Sequence, residues 1–391
     1  MKKFFLLLFI PFIFWGQKSI EQQVSKLSDG PYVFIEKNKL IEKNIKNGKV
    51  YTKILDPNKY DTIFYPDKST FSKVRKIVAL SDIHGQYELA IELLKNNKII
   101  DKKLNWNFGK GHLVIVGDIF DRGDKINEIL WLIYKLEIQA KNKGGHVHFL
   151  MGNHEYMVLQ KDLRYIHKKY KLSSKLLGLK YDELYSDHTV IGRWLRSKST
   201  IIEINNNVFV HGGISEEFII KNGVDLEKLN MMMRKHIDLP KKEMKSTDIY
   251  NLYYGQKGLV WYRGYFKKYF EMYKEYLTDQ DISKILNLIN SDHIVVGHCS
   301  HDEIVQLYNN KIFGVDSSIK KGEYGEVLFI KNNRFFKNNR FFRGDLNGKL
   351  TEFYKNKSKK NNKLLFLFLI TLVALYFLYY AKEHYSRKQI N

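Results

Sequence analysis

Five short stretches of this 391-residue chain set metal-ligating side chains beside glycine: SDIHG at 81–85, GDIFDRG at 117–123, GNHE at 152–155, HGG at 211–213 and GH at 297–298. Carboxylate, imidazole and carboxamide donors suit divalent transition metals, and their recurrence describes a two-metal phosphoesterase centre. Two cations about 3.5–4 Å apart need a shared oxygen ligand, and Asp118 is the natural bridge. The first metal then takes Asp82, His84 and Asp118, and the second Asp118, Asn153, His211 and His298. A neutral Asn beside two His and one shared carboxylate keeps the total charge low enough for the metals to stay electrophilic. Mn, Fe, Zn or a mixed pair all fit such ligands.

A hydrophobic run of strand type precedes every one of the five stretches: IVAL, HLVIV, HVHFLM, VFV and HIVV. Each ligand group therefore falls at the carboxyl end of a strand, where open α/β sheets collect their functional residues. YELAIELLKNNKII after SDIHG and DKINEILWLIYKLEIQAKN after DRG repeat their apolar residues at helical intervals, which gives strand, loop and helix units in succession. Later strands lack such regular helices between them. The mixture predicts a layered α/β sandwich, two sheets enclosed by helices, over a catalytic body of residues 73–348.

The order and spacing of these motifs resemble the calcineurin-like metallophosphoesterases, and more narrowly the phosphoprotein phosphatase family, across about Ile77 to Asp316. IGRWLRSKSTIIEINNNVFVHGG together with VWYRG at 260–264 is similar to the bacterial, Shewanella-like branch. The resemblance implies a four-layer α/β/β/α sandwich and the ligand assignments given above. It also implies hydrolysis without a covalent phosphoenzyme, through in-line attack on phosphorus by a hydroxide bridging the metals. Carried over residue by residue, it makes His154 the acid that protonates the leaving oxygen, Asp121 the group that orients its imidazole, and Arg122 and Arg263 the clamp on the phosphate. Planar guanidinium forks suit that task, and a positioned imidazolium eases departure of an alkoxide or phenoxide.

Three departures accompany the match. Ser81 stands where the family usually has glycine, Cys299-Ser300 follows His298, and DSS occupies 316–318. None removes a ligand. Cys299 is the single cysteine of the chain, so no intrachain disulfide can form. Its place beside a ligand raises thiol sensitivity as one reading, with a buried inert cysteine favoured over it. His112, His146, His148 and His301 lack a motif frame and read as core histidines. Arg193 and Arg196 read as helix-surface residues before pocket residues, Asp316 as support for the site or a turn residue, and Met231 to Met233 as lid packing.

The function these residues predict is metal-dependent hydrolysis of a phosphomonoester on a protein Ser/Thr or Tyr side chain, or of a small phosphoester. One alternative is a diadenosine-tetraphosphate hydrolase or other nucleotide phosphoesterase. The second is a membrane-tethered, non-catalytic phosphate-binding protein, which would predict a missing ligand.

The formal charge of +23 favours anionic partners, but a Lys-rich solvated surface explains it as well, and no nucleic-acid motif accompanies it. Residues 1–16 have the shape of a signal peptide. Residues 17–72 form a polar lead, either a loop or an appended strand pair, and 349–363 a basic stem. Residues 364–381 are uncharged and long enough, about 27 Å as a helix, to be a transmembrane anchor before a short tail at 382–391. A leader followed by an anchor predicts an exported, periplasmic or extracytoplasmic catalytic domain. The lysines of the stem, counted by the positive-inside rule, favour a cytoplasmic-facing one. A tandem KNNRFF at 331–336 and 337–342 predicts a lengthened strand, a hairpin or a loop with exposed Phe.

Overall fold

The computed structural model describes residues 22–273, 277–333 and 338–353; the expected leader and membrane anchor lie outside them. Among the described residues no helix is long and apolar enough to cross a membrane.

The strands among the described residues form three sheets. In chain order they are β1 (Asp29–Glu36), β2 (Lys39–Lys46), β3 (Lys49–Leu55), β4 (Thr70–Phe71), β5 (Lys76–Leu80), β6 (His112–Ile115), β7 (His146–Phe149), β8 (Ile201–Ile204), β9 (Asn207–Val210), β10 (His293–Val296), β11 (Val305–Leu307), β12 (Ile312–Gly314), β13 (Val327–Asn333), β14 (Asn338–Gly344) and β15 (Leu350–Glu352). One six-stranded sheet runs β15-β14-β13-β5-β6-β7 and the other β11-β12-β10-β9-β8-β4. Strands β5, β6 and β7 are mutually parallel, as are β9 and β10.

Alternation along the strands explains the layering. Ile77, Ala79, Val114, Phe209, Val295, Phe313, Leu328 and Ile330 belong to one apolar cluster that the two sheets share. Val78, Leu80, Leu113, Ile115, Val208, Ile294 and Val296 belong to a second cluster with the helices. Strands buried on both faces read as unbroken hydrophobic runs, which is why IVAL and HLVIV show no polar alternation. Helices α1 (Tyr87–Asn96) and α2 (Ile126–Asn142) contribute Leu89, Leu93, Ile129, Leu130 and Ile133 to that second cluster. The result is the mixed α/β sandwich that the motif order predicts.

Several segments differ from their reading in the sequence. The lead is neither a loop nor a strand pair: β1, β2 and β3 make a three-stranded antiparallel meander, which buries the apolar side chains of Val33, Leu40, Ile45 and Leu55. At the other end β15 pairs with β14, so the sheet runs into the stretch read as stem. The second KNNRFF copy falls on β14, which pairs antiparallel with β13 in keeping with the strand and hairpin readings, and its Phe341 is buried against Phe313, ring centroids 4.2 Å apart, rather than exposed. The methionines at 231–233 lie on the helix Leu226–Lys235, which is held against β8. Its Met233 is fully buried, and its Asn230 side chain donates to the Ile201 carbonyl of β8 at 2.7 Å and accepts from the Thr200 amide at 2.7 Å.

Toward the opposite end of the strands from the ligand motifs, His112, His146 and His148 pack around Phe71 with ring centroids 5.5, 5.2 and 4.6 Å from it. Burial pushes His112 down to about 3, assisted by His146 and Lys68, and burial also holds His148 well below its ordinary value, assisted by His112 and His146. The unfolded chain, with an ordinary His value of about 6.5, binds protons there that the folded chain refuses. This contribution to stability is therefore complete above about pH 6.5 and declines as pH falls from there toward 3. Thermal melts of wild type and His112→Gln across about pH 4 to 8 should show a steeper acid decline in wild type; parallel curves would remove the cluster as the cause.

Candidate metal centre and active site

Each ligand-bearing loop follows a strand whose carboxyl end faces the same point. β5 leads to Asp82 and His84, β6 to Asp118, β7 to Asn153, β9 to His211 and β10 to His298. One sheet supplies the first four and the other sheet the last two. Asp82 and His84 lie beyond the strand, and both have left-handed backbone, φ 54° and 44°, so a tight turn rather than strand alternation aims them inward. Asp118, Asp121, Arg122 and His298 are left-handed too, φ 60°, 70°, 67° and 64°. Strain of this kind persists only where surrounding structure fixes it.

Asp118 is the hub. Its Oδ2 lies 3.2 Å from His211 Nε2, 3.5 Å from His84 Nε2 and 3.9 Å from His154 Nε2. His211 Nε2 is also 2.9 Å from Asn153 Oδ1 and 3.2 Å from His298 Nδ1. Asp82 Oδ1 stands 3.8 Å from His84 Nε2, while its Oδ2 accepts from the Ser81 hydroxyl at 2.5 Å and the His298 amide at 2.9 Å. Asp82, His84, Asp118, Asn153, His211 and His298, the ligands expected from sequence, are all buried.

The donors fit cations. His84 Nδ1 is 2.6 Å from the Phe120 carbonyl and His211 Nδ1 is 2.7 Å from the Val116 carbonyl. Each Nδ1 must carry the proton to donate there, which leaves the Nε2 lone pairs facing the centre, the arrangement typical of metal-bound imidazole. His84 Nε2 and His298 Nε2 are buried with no hydrogen-bond partner. His84, Asp118 and His154 form one group, and Asp118, His211 and His298 another, whose donor atoms lie within 4.8 Å of one another. Geometry alone thus admits His154 beside the first metal.

Electrostatics point the same way. Burial works against the Asp118 charge, but His211, His154 and His84 outweigh it and hold the carboxyl well below its ordinary value. Burial likewise opposes a proton on His211, yet Asp118 pushes the imidazole up to about 9. Burial lowers His84 and His298, the latter helped by Arg263. The Asp118 carboxylate therefore demands positive charge nearby.

Around the ligands, His154 Nδ1 lies 2.6 Å from Asp121 Oδ2, and the His154 amide donates to Asp118 Oδ1 at 3.1 Å. Arg122 is exposed, with its guanidinium over the Tyr165 ring at 5.6 Å. Arg263 is half-buried and lies over Trp261 and Tyr269 at 5.8 and 5.5 Å. Arg193 and Arg196 face elsewhere: Arg193 donates to the Asp187 and Thr62 carbonyls, and Arg196 pairs with Asp238. Buried Asp316 accepts from Ser300 Oγ at 2.6 Å and lies close enough to Asp82 to help raise it, after burial itself. It supports the site rather than merely turning the chain. Cys299 is fully buried and burial pushes its thiol up to about 12, which suits the inert reading because the thiolate is the reactive form.

Sequence reasoning missed Glu155. Its carboxylate, fully buried, accepts from the amides of Asp118, Ile119, Phe120 and Gly152 at 2.9, 2.7, 3.2 and 2.7 Å. The signal was its place in GNHE, three residues after Gly152 at the start of a helix (Asn153–Leu159), where a Glu can reach back to the N-terminal amide. The Ser81 hydroxyl was also missed as a partner of Asp82.

The model of the family described as calcineurin-like phosphoesterase matches residues 75–316. Shewanella-like protein phosphatase 1 of Plasmodium berghei is 27% identical over 273 residues, 68% of this chain and 73% of that protein. A solved structure of a cold-active protein tyrosine phosphatase from a psychrophilic Shewanella species is 40% identical, covering 84% of this chain and 99% of its own, with a TM-score of 0.77. A symmetrical bis(5'-nucleosyl)-tetraphosphatase of Chromobacterium violaceum is 27% identical over 152 residues, 38% of this chain and 47% of that protein.

One outcome follows from the Glu155 geometry. Glu155→Gln turns one acceptor into a donor facing amides, and should cost about 2–4 kcal/mol of stability in urea unfolding, together with metal content. Unchanged unfolding would show the four amide contacts to be dispensable.

Proposed function

The chain belongs to the calcineurin-like phosphoesterase family and is a hydrolase of phosphate esters, and we propose that it is a protein phosphatase acting on phosphorylated Ser/Thr or Tyr side chains. The observation that carries the reading is the extent of sequence similarity: 68% of this chain matches the Shewanella-like protein phosphatase of Plasmodium berghei, against 38% for the tetraphosphatase. All ligands expected from sequence converge, which speaks against a non-catalytic phosphate-binding protein.

In this reading Asp82, His84 and Asp118 hold one metal, and Asp118, Asn153, His211 and His298 the other. When bound, a divalent pair of Mn, Fe or Zn supplies Lewis acidity and charge neutralisation for phosphoryl transfer. Arg122 and Arg263 grip the phosphate oxygens from the rim, where the exposed Arg122 guanidinium is open to an anion. His154 holds a proton at Nε2 for the leaving oxygen, and Asp121, 2.6 Å from Nδ1, fixes ring and tautomer. A serine alkoxide is more basic than a phenoxide of pKa about 10, so the acid matters more for phosphoserine than for phosphotyrosine.

The proposal extends to location: residues 1–16 direct export and residues 364–381 tether the catalytic domain outside the cytoplasm. Protease resistance of that domain after permeabilising the outer envelope would place it inside instead.

The test is hydrolysis of p-nitrophenyl phosphate by the Mn-loaded protein, with a chelator control and the variants Asp118→Asn and His154→Ala. We expect chelation and Asp118→Asn to remove metal and activity together. His154→Ala should lose about 10²–10⁴-fold in kcat on a phosphoserine peptide and less on p-nitrophenyl phosphate, whose nitrophenoxide leaves without protonation, with metal content intact; a fall in metal stoichiometry would make His154 a ligand. A phosphotyrosine peptide, a phosphoserine peptide and a dinucleoside polyphosphate then separate the substrate classes. Turnover of the dinucleotide alone would overturn the protein phosphatase reading.

A further inference from the structure

The loop that carries Asp121 and Arg122 is held from outside the family-matched residues. Strand β1 precedes residue 75, where the family model begins. Its Asp29 side chain is 0% exposed, and Asp29 Oδ1 lies 3.2 Å from Lys169 Nζ on the helix Lys168–Leu177. Tyr32, on the same strand, donates its hydroxyl to Asp29 Oδ2 at 2.7 Å. Lys169 Nζ in turn donates to the Asp124 carbonyl at 2.6 Å, and the Tyr170 hydroxyl donates to the same oxygen at 2.9 Å.

The grip continues along the chain. The Ile126 amide donates to the Tyr170 oxygen at 2.6 Å, and the Asn127 side chain donates to the Pro31 carbonyl of β1 at 3.0 Å. Residues 124, 126 and 127, just after the left-handed pair Asp121 and Arg122, are thus each fixed by β1 or by the helix that bears Lys169. Unusual backbone of this kind relaxes unless it is over-determined. The aligned family core contributes the loop, and the meander contributes part of what holds it.

We infer that Asp29 is a positioning residue, which through Lys169 anchors the 121–127 loop and so sets the phosphate-gripping position of Arg122. Glu128 also faces Lys169, at 3.4 Å, but it is 31% exposed and lies on the loop's own helix, so it cannot tie that loop to β1. The role of Arg122 rests on the function proposed above; the anchoring of the loop does not.

The experiment compares the full metal-loaded chain with Asp29→Ala, Lys169→Met and, as a control on exposed β3, Lys53→Ser. Amide hydrogen exchange and competitive inhibition by inorganic phosphate are both read. Asp29→Ala and Lys169→Met should speed exchange at 121–127 on the order of 10-fold, with β9 amides unchanged, and weaken phosphate inhibition about 3- to 10-fold. Lys53→Ser should change neither. Wild-type exchange at 121–127 in Asp29→Ala, or faster exchange spread evenly over the fold, overturns the inference. Faster local exchange with unaltered phosphate inhibition supports the anchor and refutes the assigned role of Arg122.

Discussion

A single buried carboxylate organises the centre. Glu155 accepts four backbone amides drawn from two loops, three after β6 and one after β7. Buried charge without partners is prohibitively costly, so the loops must bring their amides to it. That demand fixes the path of 118–120, and with it the direction of Asp118, the placement of the Phe120 carbonyl that sets the His84 tautomer, and the approach to His154. Burial raises the Glu155 carboxyl and Asp118 raises it further, while the amides oppose both. The loops and the acid depend on one another.

Glycine makes the close approach possible. A Cβ on Gly152 would meet Asp118 Oδ1 at 2.3 Å, and one on Gly117, at φ +85°, would meet the Gly152 Cα at 2.7 Å. These two glycines therefore mark contact between loops as well as local turns. Asp118 can reach the centre beside Asn153 only because the loop it passes carries no side chain there.

Legibility in the sequence tracked how local each cause was. The five strands before the motifs were readable because each run is buried on both faces, and the two long helices because their apolar residues recur at helical spacing. The meander of residues 29–55 was less readable. Its burial depends on helices far along the chain, such as the one bearing Lys169, and a polar sequence of Lys, Glu and Asn conceals the scattered Val33, Leu40 and Ile45. In the site, donor types named the buried residues that the fold brings together. The supporting contacts were hidden because they run to backbone atoms: Glu155 to amides, His84 and His211 to carbonyls. Side-chain identity says nothing about which carbonyl a ring will face. His154 was read from the sequence only as the acid, and the structure sets it within reach of His84 and Asp118 as well.

The division of the candidate ligands between sheets would give a metal centre a structural role as well. Asp82, His84, Asp118 and Asn153 come from one sheet, and His211 and His298 from the other, with the Gly297 amide donating to the His211 carbonyl at 2.9 Å within the second. Between them lies the shared apolar cluster, which holds the sheets together through Val114, Val295 and Phe313. Any cation coordinated by Asp118 and His211 joins the two sheets directly, so its binding free energy adds to the packing of the sandwich. The reverse also holds: packing that sets the sheet separation sets the distance between the two halves of the ligand set. Geometry at the centre is therefore a property of the whole core, and the strained turns act only on a separation that the core has already fixed.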